Sequence, residues 1–140
     1  MRSNKLQLFV HFVWSTVMRE PLITEDIETA IQRSIAAKAV KLGCKVIAIG
    51  GIEDHIHVFV EIPATIAISE LARQMKGSSS HLANSLSGPI RGFGWDDSYG
   101  AFTVGVRQLN KVKYYVDHQR DHHRDGTLHT DFELTMDEDA

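Results

Sequence analysis

The stretch EDHIHVFVEIP at residues 53–63 constrains the fold more than any other part of the chain. Alternate side chains of a β-strand share a face. Ile56, Val58, Val60 and Ile62 then make one unbroken apolar face, while His55, His57, Phe59 and Glu61 point the other way. Such a segment belongs in a sheet with one side packed against helices and the other side open. LQLFVHFVWST (6–16) reads the same way, with Leu6, Leu8, Val10, Phe12 and Trp14 on one face and Gln7, Phe9, His11, Val13 and Ser15 on the other.

Between these strands, Thr24 is an N-cap with Asp26 and Glu28 in the first turn. Apolar residues follow at 27, 31, 35, 39 and 42, and Gly43 closes the segment as a helix. CKVIAIGG and EDHIHVFVEIP form two strands around Gly50-Gly51, read as a hairpin. Ser69 caps a second helix, ELARQMKGSSSHLANSL. FGW and YGAFTVG read as short strands separated by an Asp96-Asp97-Ser98 turn. LNKVKYYVDHQRDHHR makes a last helix with Leu109, Val112 and Val116 on one stripe. The order β-α-β-β-α-β-α predicts an α+β fold, a ferredoxin-like antiparallel sheet with helices on one face.

Composition narrows the class. Apolar residues make up 43% of the 140 and charged residues 24%, with no apolar run near membrane-span length and no signal-peptide pattern. The lone Cys44 excludes an internal disulfide framework and a cysteine zinc cluster, and it suits the cytoplasm. Net charge is −3, but residues 131–140, DFELTMDEDA, hold five acids and no base. Without them 15 Lys+Arg face 13 Asp+Glu. The expected organisation is one domain over 1–130 with a disordered acidic tail, on a weakly basic body compatible with a polyanion.

Two imidazoles at i and i+2 stand roughly 7 Å apart at Cβ, close enough to converge on one metal ion. Asp54 is at hand to orient one ring, and His11 occupies the same face of the first strand. On its own, His-x-His is more often two surface histidines with no task. The last helix adds a second polar constellation: Tyr115, Gln119 and His122 or His123 fall on one face, with Tyr114 as the neighbouring phenol.

In combination, His55-Ile56-His57, the YYVDHQRDHHR helix (114–124), HFVWSTVMREPLI (11–23), ARQMKGSSSHL (72–82) and GWDDSYGAFTVG (94–105) resemble the HUH single-tyrosine transposases. These are the insertion-sequence-200/605 type and their REP-associated relatives. The resemblance spans nearly the whole chain in order. It implies that His55, His57 and Gln119 hold Mg²⁺ or Mn²⁺ and that Tyr115, rather than Tyr114, is the nucleophile. It also implies cleavage and rejoining of single-stranded DNA at insertion-element ends through a 5′-phosphotyrosine, with hairpins at those ends as the recognised feature.

Arg73, Lys76, Ser78, Arg107, Lys111 and Lys113 are the candidate DNA contacts. Relatives are commonly homodimers, with sites that are sometimes composite, and the resemblance implies a bacterial cytoplasmic protein. The alternative is a domesticated, non-catalytic hairpin-DNA-binding protein of the same fold. Other phosphoesterases fit less well: a histidine-triad hydrolase needs a third histidine where Phe59 stands, and no pair of His-x-Thr/Ser motifs is present.

Overall fold

Strand parity separates the layers of the molecule. A computed structural model describes residues 4–87 and 92–121. The strands are β1 (Phe9–Ser15), β2 (Lys45–Ile52), β3 (His55–Glu61) and β4 (Gly100–Val104). The helices are α1 (Glu25–Lys41), α2 (Ile68–Ser87) and α3 (Leu109–Asp117), with 3₁₀ turns at Val17–Arg19 and Val106–Gln108. All pairs are antiparallel in the order β2-β3-β1-β4, which is the expected ferredoxin-like α+β sheet. The acidic segment 131–140 and the His122-His123 pair lie outside the described residues.

The even-numbered residues of β1 and β3 face α1 and α2. Val10, Phe12, Trp14, Ile56, Val58 and Val60 join Ile27, Ile31, Ile35 and Ala39 of α1 and Leu71, Ala72 and Met75 of α2 in one apolar core. That is the expected helical cover on one face, and the 27/31/35/39 stripe is the buried one. Gly43, at φ +90°, ends α1 in a conformation that glycine alone adopts freely.

The third helix stands on the other face, the side the sequence led us to expect open. Val112 and Val116 pack there with Phe9, Ala48 and Phe59 in a smaller cluster. A bulge in β2 makes room for it. The register shifts between Val46 and Ala48, so Ile47 and Ala48 both contribute to the α3 side.

Four sequence expectations shift. Gly50 and Gly51 are not the hairpin turn; both lie inside β2, and the turn is Glu53-Asp54. A Cβ on Gly50 would stand 1.9 Å from the Val116 carbonyl oxygen, and one on Gly51 would stand 2.4 Å from the His55 carbonyl oxygen. The glycines serve close approach rather than reversal. Second, α2 begins at Ile68, with the Ala67 carbonyl accepting from Leu71 N–H, so Ser69 lies in the first turn rather than at the cap. Third, the FGW stretch supplies only an isolated bridge, Trp95 to Thr16. Fourth, α3 breaks at His118 (φ −115°, ψ 35°), and a further helical turn carries Gln119 to Asp121.

Candidate active site

The odd-numbered face of β1 and β3 builds the site. Register sets Ser15 opposite His55, Val13 opposite His57 and His11 opposite Phe59. On the far side of β3, Gly50 is the partner of His57. With no side chain at that point, the α3 backbone settles beside His57, and Gln119 Cγ comes within 3.7 Å of where a Cβ would be. The missing Cβ thus brings the last helix to the histidine pair.

The four side chains expected to act together converge within the chain. The Tyr115 ring lies edge-on to His57 at 5.9 Å between centroids, and the His55 and His57 rings are 5.2 Å apart. Gln119 Nε2 donates to the Tyr115 carbonyl at 2.9 Å, which turns its Oε1 toward His55 Nε2, 3.4 Å away. All four are buried, with Tyr115 1% exposed. Tyr114 faces outward at 60% exposure, stacked on His118 at 3.9 Å.

Both histidines are held from behind. His55 Nδ1 lies 2.8 Å from Asp54 Oδ1, as the sequence led us to expect. A carboxylate accepts, so Nδ1 carries a proton, and in the neutral imidazole the Nε2 lone pair is then left toward the site. His57 Nδ1 lies 2.7 Å from Nε2 of His11, which is itself buried. The donor set fits a divalent cation. Donor atoms sharing an ion at about 2.1 Å stand roughly 3.0–3.4 Å apart, the separation of His55 Nε2 and Gln119 Oε1. Among the described residues no three His, Cys, Asp or Glu side chains gather as a metal site.

The six candidate DNA contacts divide between the two sides of the sheet. Arg107, Lys111 and Lys113 are exposed on the α3 side, with Lys113 paired to Asp117 at 2.6 Å. Arg73 and Lys76 line a cavity of about 450 Å³ between α2 and the 93–99 segment, walled by Phe93, Trp95 and Tyr99. Arg73 is engaged by Glu70 at 2.6 Å, and its hydrogen bonds hold the Glu70 carboxyl down at about 2. Lys76 Nζ donates to the Asp96 and Ser98 carbonyls, and burial lowers its pKa. Lys76 therefore latches the 96–98 turn to α2. Ser78 Oγ lies toward Ser34 of α1.

Two contributors were not legible beforehand. Gly50 was read as a turn residue. Arg120, next to Gln119, reaches Glu28 of α1 at 2.9 Å and Glu53 of the β2–β3 turn at 3.5 Å, tying the segment after α3 to the body. Its partners are far away in sequence, and no local pattern announces them.

The family model for IS200-like transposases matches residues 4–119. The chain belongs to that family. Solved structures agree on the fold of this IS200-like transposase. A protein of Deinococcus radiodurans described as a candidate transposase superposes with a TM-score of 0.68 at 21% identity, covering 85% of this chain and 95% of its own. A REP-associated tyrosine transposase bound to a REP hairpin superposes with a TM-score of 0.64 at 13% identity, covering 88% of this chain and 73% of its own. No curated protein matches the chain. Among the described residues, no helix is long and apolar enough to cross a membrane.

Proposed function

We propose that this transposase cleaves and rejoins single-stranded DNA at the ends of an insertion element, through a 5′-phosphotyrosine on Tyr115. The observation that carries the reading is the convergence, within one chain, of Tyr115 and the Gln119 oxygen on the His55–His57 pair. Tyr115 Oη attacks phosphorus as the bond to the 3′-oxygen breaks. The phenol gives up one proton and the leaving oxygen takes one up. The phosphodiester is exchanged for a phosphotyrosine of similar energy, so the strand is rejoined without ATP.

A phenol of pKa near 10 is a poor nucleophile at neutral pH and needs help. His55 Nε2, His57 Nε2 and Gln119 Oε1 would hold Mg²⁺ or Mn²⁺. Held by these residues, the ion would supply charge that polarises the scissile phosphate and offsets its developing charge. The ligands are neutral, so little of that charge is cancelled by the protein. Tyr115 is buried, so its surroundings must open for a scissile phosphate to reach it.

The hairpin bound by the REP-associated neighbour supports hairpin-bearing DNA ends as the substrate. Arg107, Lys111 and Lys113 lie on the site's own side of the sheet and are the contacts we place nearest the cleaved strand. Arg73, Lys76 and Ser78 would serve more distant nucleotides. A homodimer remains part of the reading, each copy carrying a complete site. Light scattering would return twice the chain mass.

The test is a covalent-adduct assay with labelled single-stranded DNA from the sequences flanking the gene, in Mg²⁺, Mn²⁺ or EDTA. A metal-dependent, protein-linked label that vanishes in Tyr115→Phe and persists in Tyr114→Phe is expected. Tight hairpin binding with no adduct would make the protein a non-catalytic binder of the same fold and overturn the catalytic reading.

A further inference from the structure

Among the described residues, His11 is the one buried titratable side chain on the site face that the mechanism above leaves without a task. Its Nε2 meets His57 Nδ1 at 2.7 Å, and the two rings stack with centroids 4.9 Å apart. The bond can run either way. If His11 donates, His57 accepts on Nδ1, carries its own proton on Nε2, and presents no lone pair to the site. If His57 donates, its Nε2 lone pair is available to join those of His55 Nε2 and Gln119 Oε1 on a cation. Only the second arrangement makes a three-donor cation site.

We infer that His11 is a positioning residue: it accepts the Nδ1 proton of His57 and so fixes the tautomer and ring orientation in which His57 can bind metal. The inference rests on the catalytic reading only for its use, since the tautomer is a property of the free protein. The two histidines are then oriented by different chemistry. His55 leans on the Asp54 carboxylate, a partly exposed anion. His57 leans on an imidazole, an acceptor only when neutral, that is itself 0% exposed. A second carboxylate behind the pair would add negative charge beside an ion whose task is to polarise a phosphate. A neutral acceptor orients the ring without that cost. Strand register makes the contact, because His11 lies diagonally across the β1–β3 ladder from His57, whose direct partner is Val13.

The test uses ¹⁵N-labelled full-length protein without metal or DNA, and then Mn²⁺ titration followed by electron paramagnetic resonance. Side-chain ¹⁵N shifts in the parent chain are expected to show a protonated Nδ1 and a bare Nε2 on His57. His11→Phe keeps a flat ring among Phe59 and Phe102, 6.4 and 6.1 Å away, but removes the acceptor. It should release the His57 tautomer and weaken Mn²⁺ binding by about 10–100-fold. His11→Gln, which restores an acceptor at similar reach, should recover most of that loss.

A His57 that carries its proton on Nε2 in the parent protein would overturn the inference. So would a His11→Phe protein that binds Mn²⁺ as the parent does, or a folded His11→Gln no better than His11→Phe. Neither the shifts nor the titration involves DNA. A missing adduct in the cleavage assay therefore leaves them standing, and failure here leaves Tyr115 untouched.

Discussion

The two faces of the sheet are built from the same strands and differ by one residue in phase. On the even-numbered face, β1 and β3 present Val10, Phe12, Trp14, Ile56, Val58 and Val60 to two long helices in a large apolar core. On the odd-numbered face the same strands present His11, His55 and His57, covered by a nine-residue helix held through Val112, Tyr115 and Val116. A buried aliphatic side chain stabilises a fold by about 1.5–3 kcal/mol. Three such positions on the odd face are given to imidazoles instead. Stability is concentrated on one face so that the other can hold polar groups and a lightly anchored helix. The lesson is that the weakest packing lies where the chemistry is.

The contrast can be broken from either side. Ile35→Ala empties a fully buried position between α1 and the sheet, and should cost about 2–5 kcal/mol of global stability by urea unfolding. If α3 amides exchanged no faster than before, the two faces would not share one unfolding transition. Gly50→Ala should do the reverse. Its Cβ would collide with the Val116 carbonyl and lift α3, lowering adduct yield by about 10²-fold while the melting temperature moves far less. An equal loss of stability in both variants would erase the distinction between the faces.

Smaller changes sharpen it. Asp54→Ala frees His55 Nδ1 and should weaken Mn²⁺ binding by about 10-fold or more with little change in melting. Val116→Ala should cost about 1–2 kcal/mol, seen mainly as faster hydrogen exchange in α3 rather than in α1.

The smallest effect is expected from acid. The Ser98 backbone N–H, bonded to Asp96, holds that carboxyl below its ordinary value of 3.8. A depressed carboxyl stabilises the folded turn above that ordinary value, and the contribution is lost as pH falls through the depressed one. Tryptophan fluorescence should report this acid limb through Trp95, one residue away. Asp96→Asn should flatten it without touching the histidine face.

What the sequence alone determined is whatever depends on neighbours along the chain. The alternation at 9–15 and 55–61 sorts side chains onto two faces because backbone stereochemistry does so in any strand. The i, i+4 spacing of Tyr115 and Gln119 placed them together even across the break at His118, where the Gln119–Tyr115 hydrogen bond preserves the relation. Thr24, the 27/31/35/39 stripe and Gly43 delimited α1 for the same local reasons.

Tertiary structure decided what depends on distant partners. Gly50-Gly51 looked like a turn because glycine pairs usually are, yet Gly50's requirement comes from Val116, 66 residues later. Lys76 stood out in the sequence only as a candidate phosphate contact, and its hold on the 96–98 carbonyls appears only in the fold. His11 and His57 are 46 residues apart, and only strand register makes them neighbours. Periodicity along a chain says which side a residue faces. Only packing in three dimensions says what waits for it there.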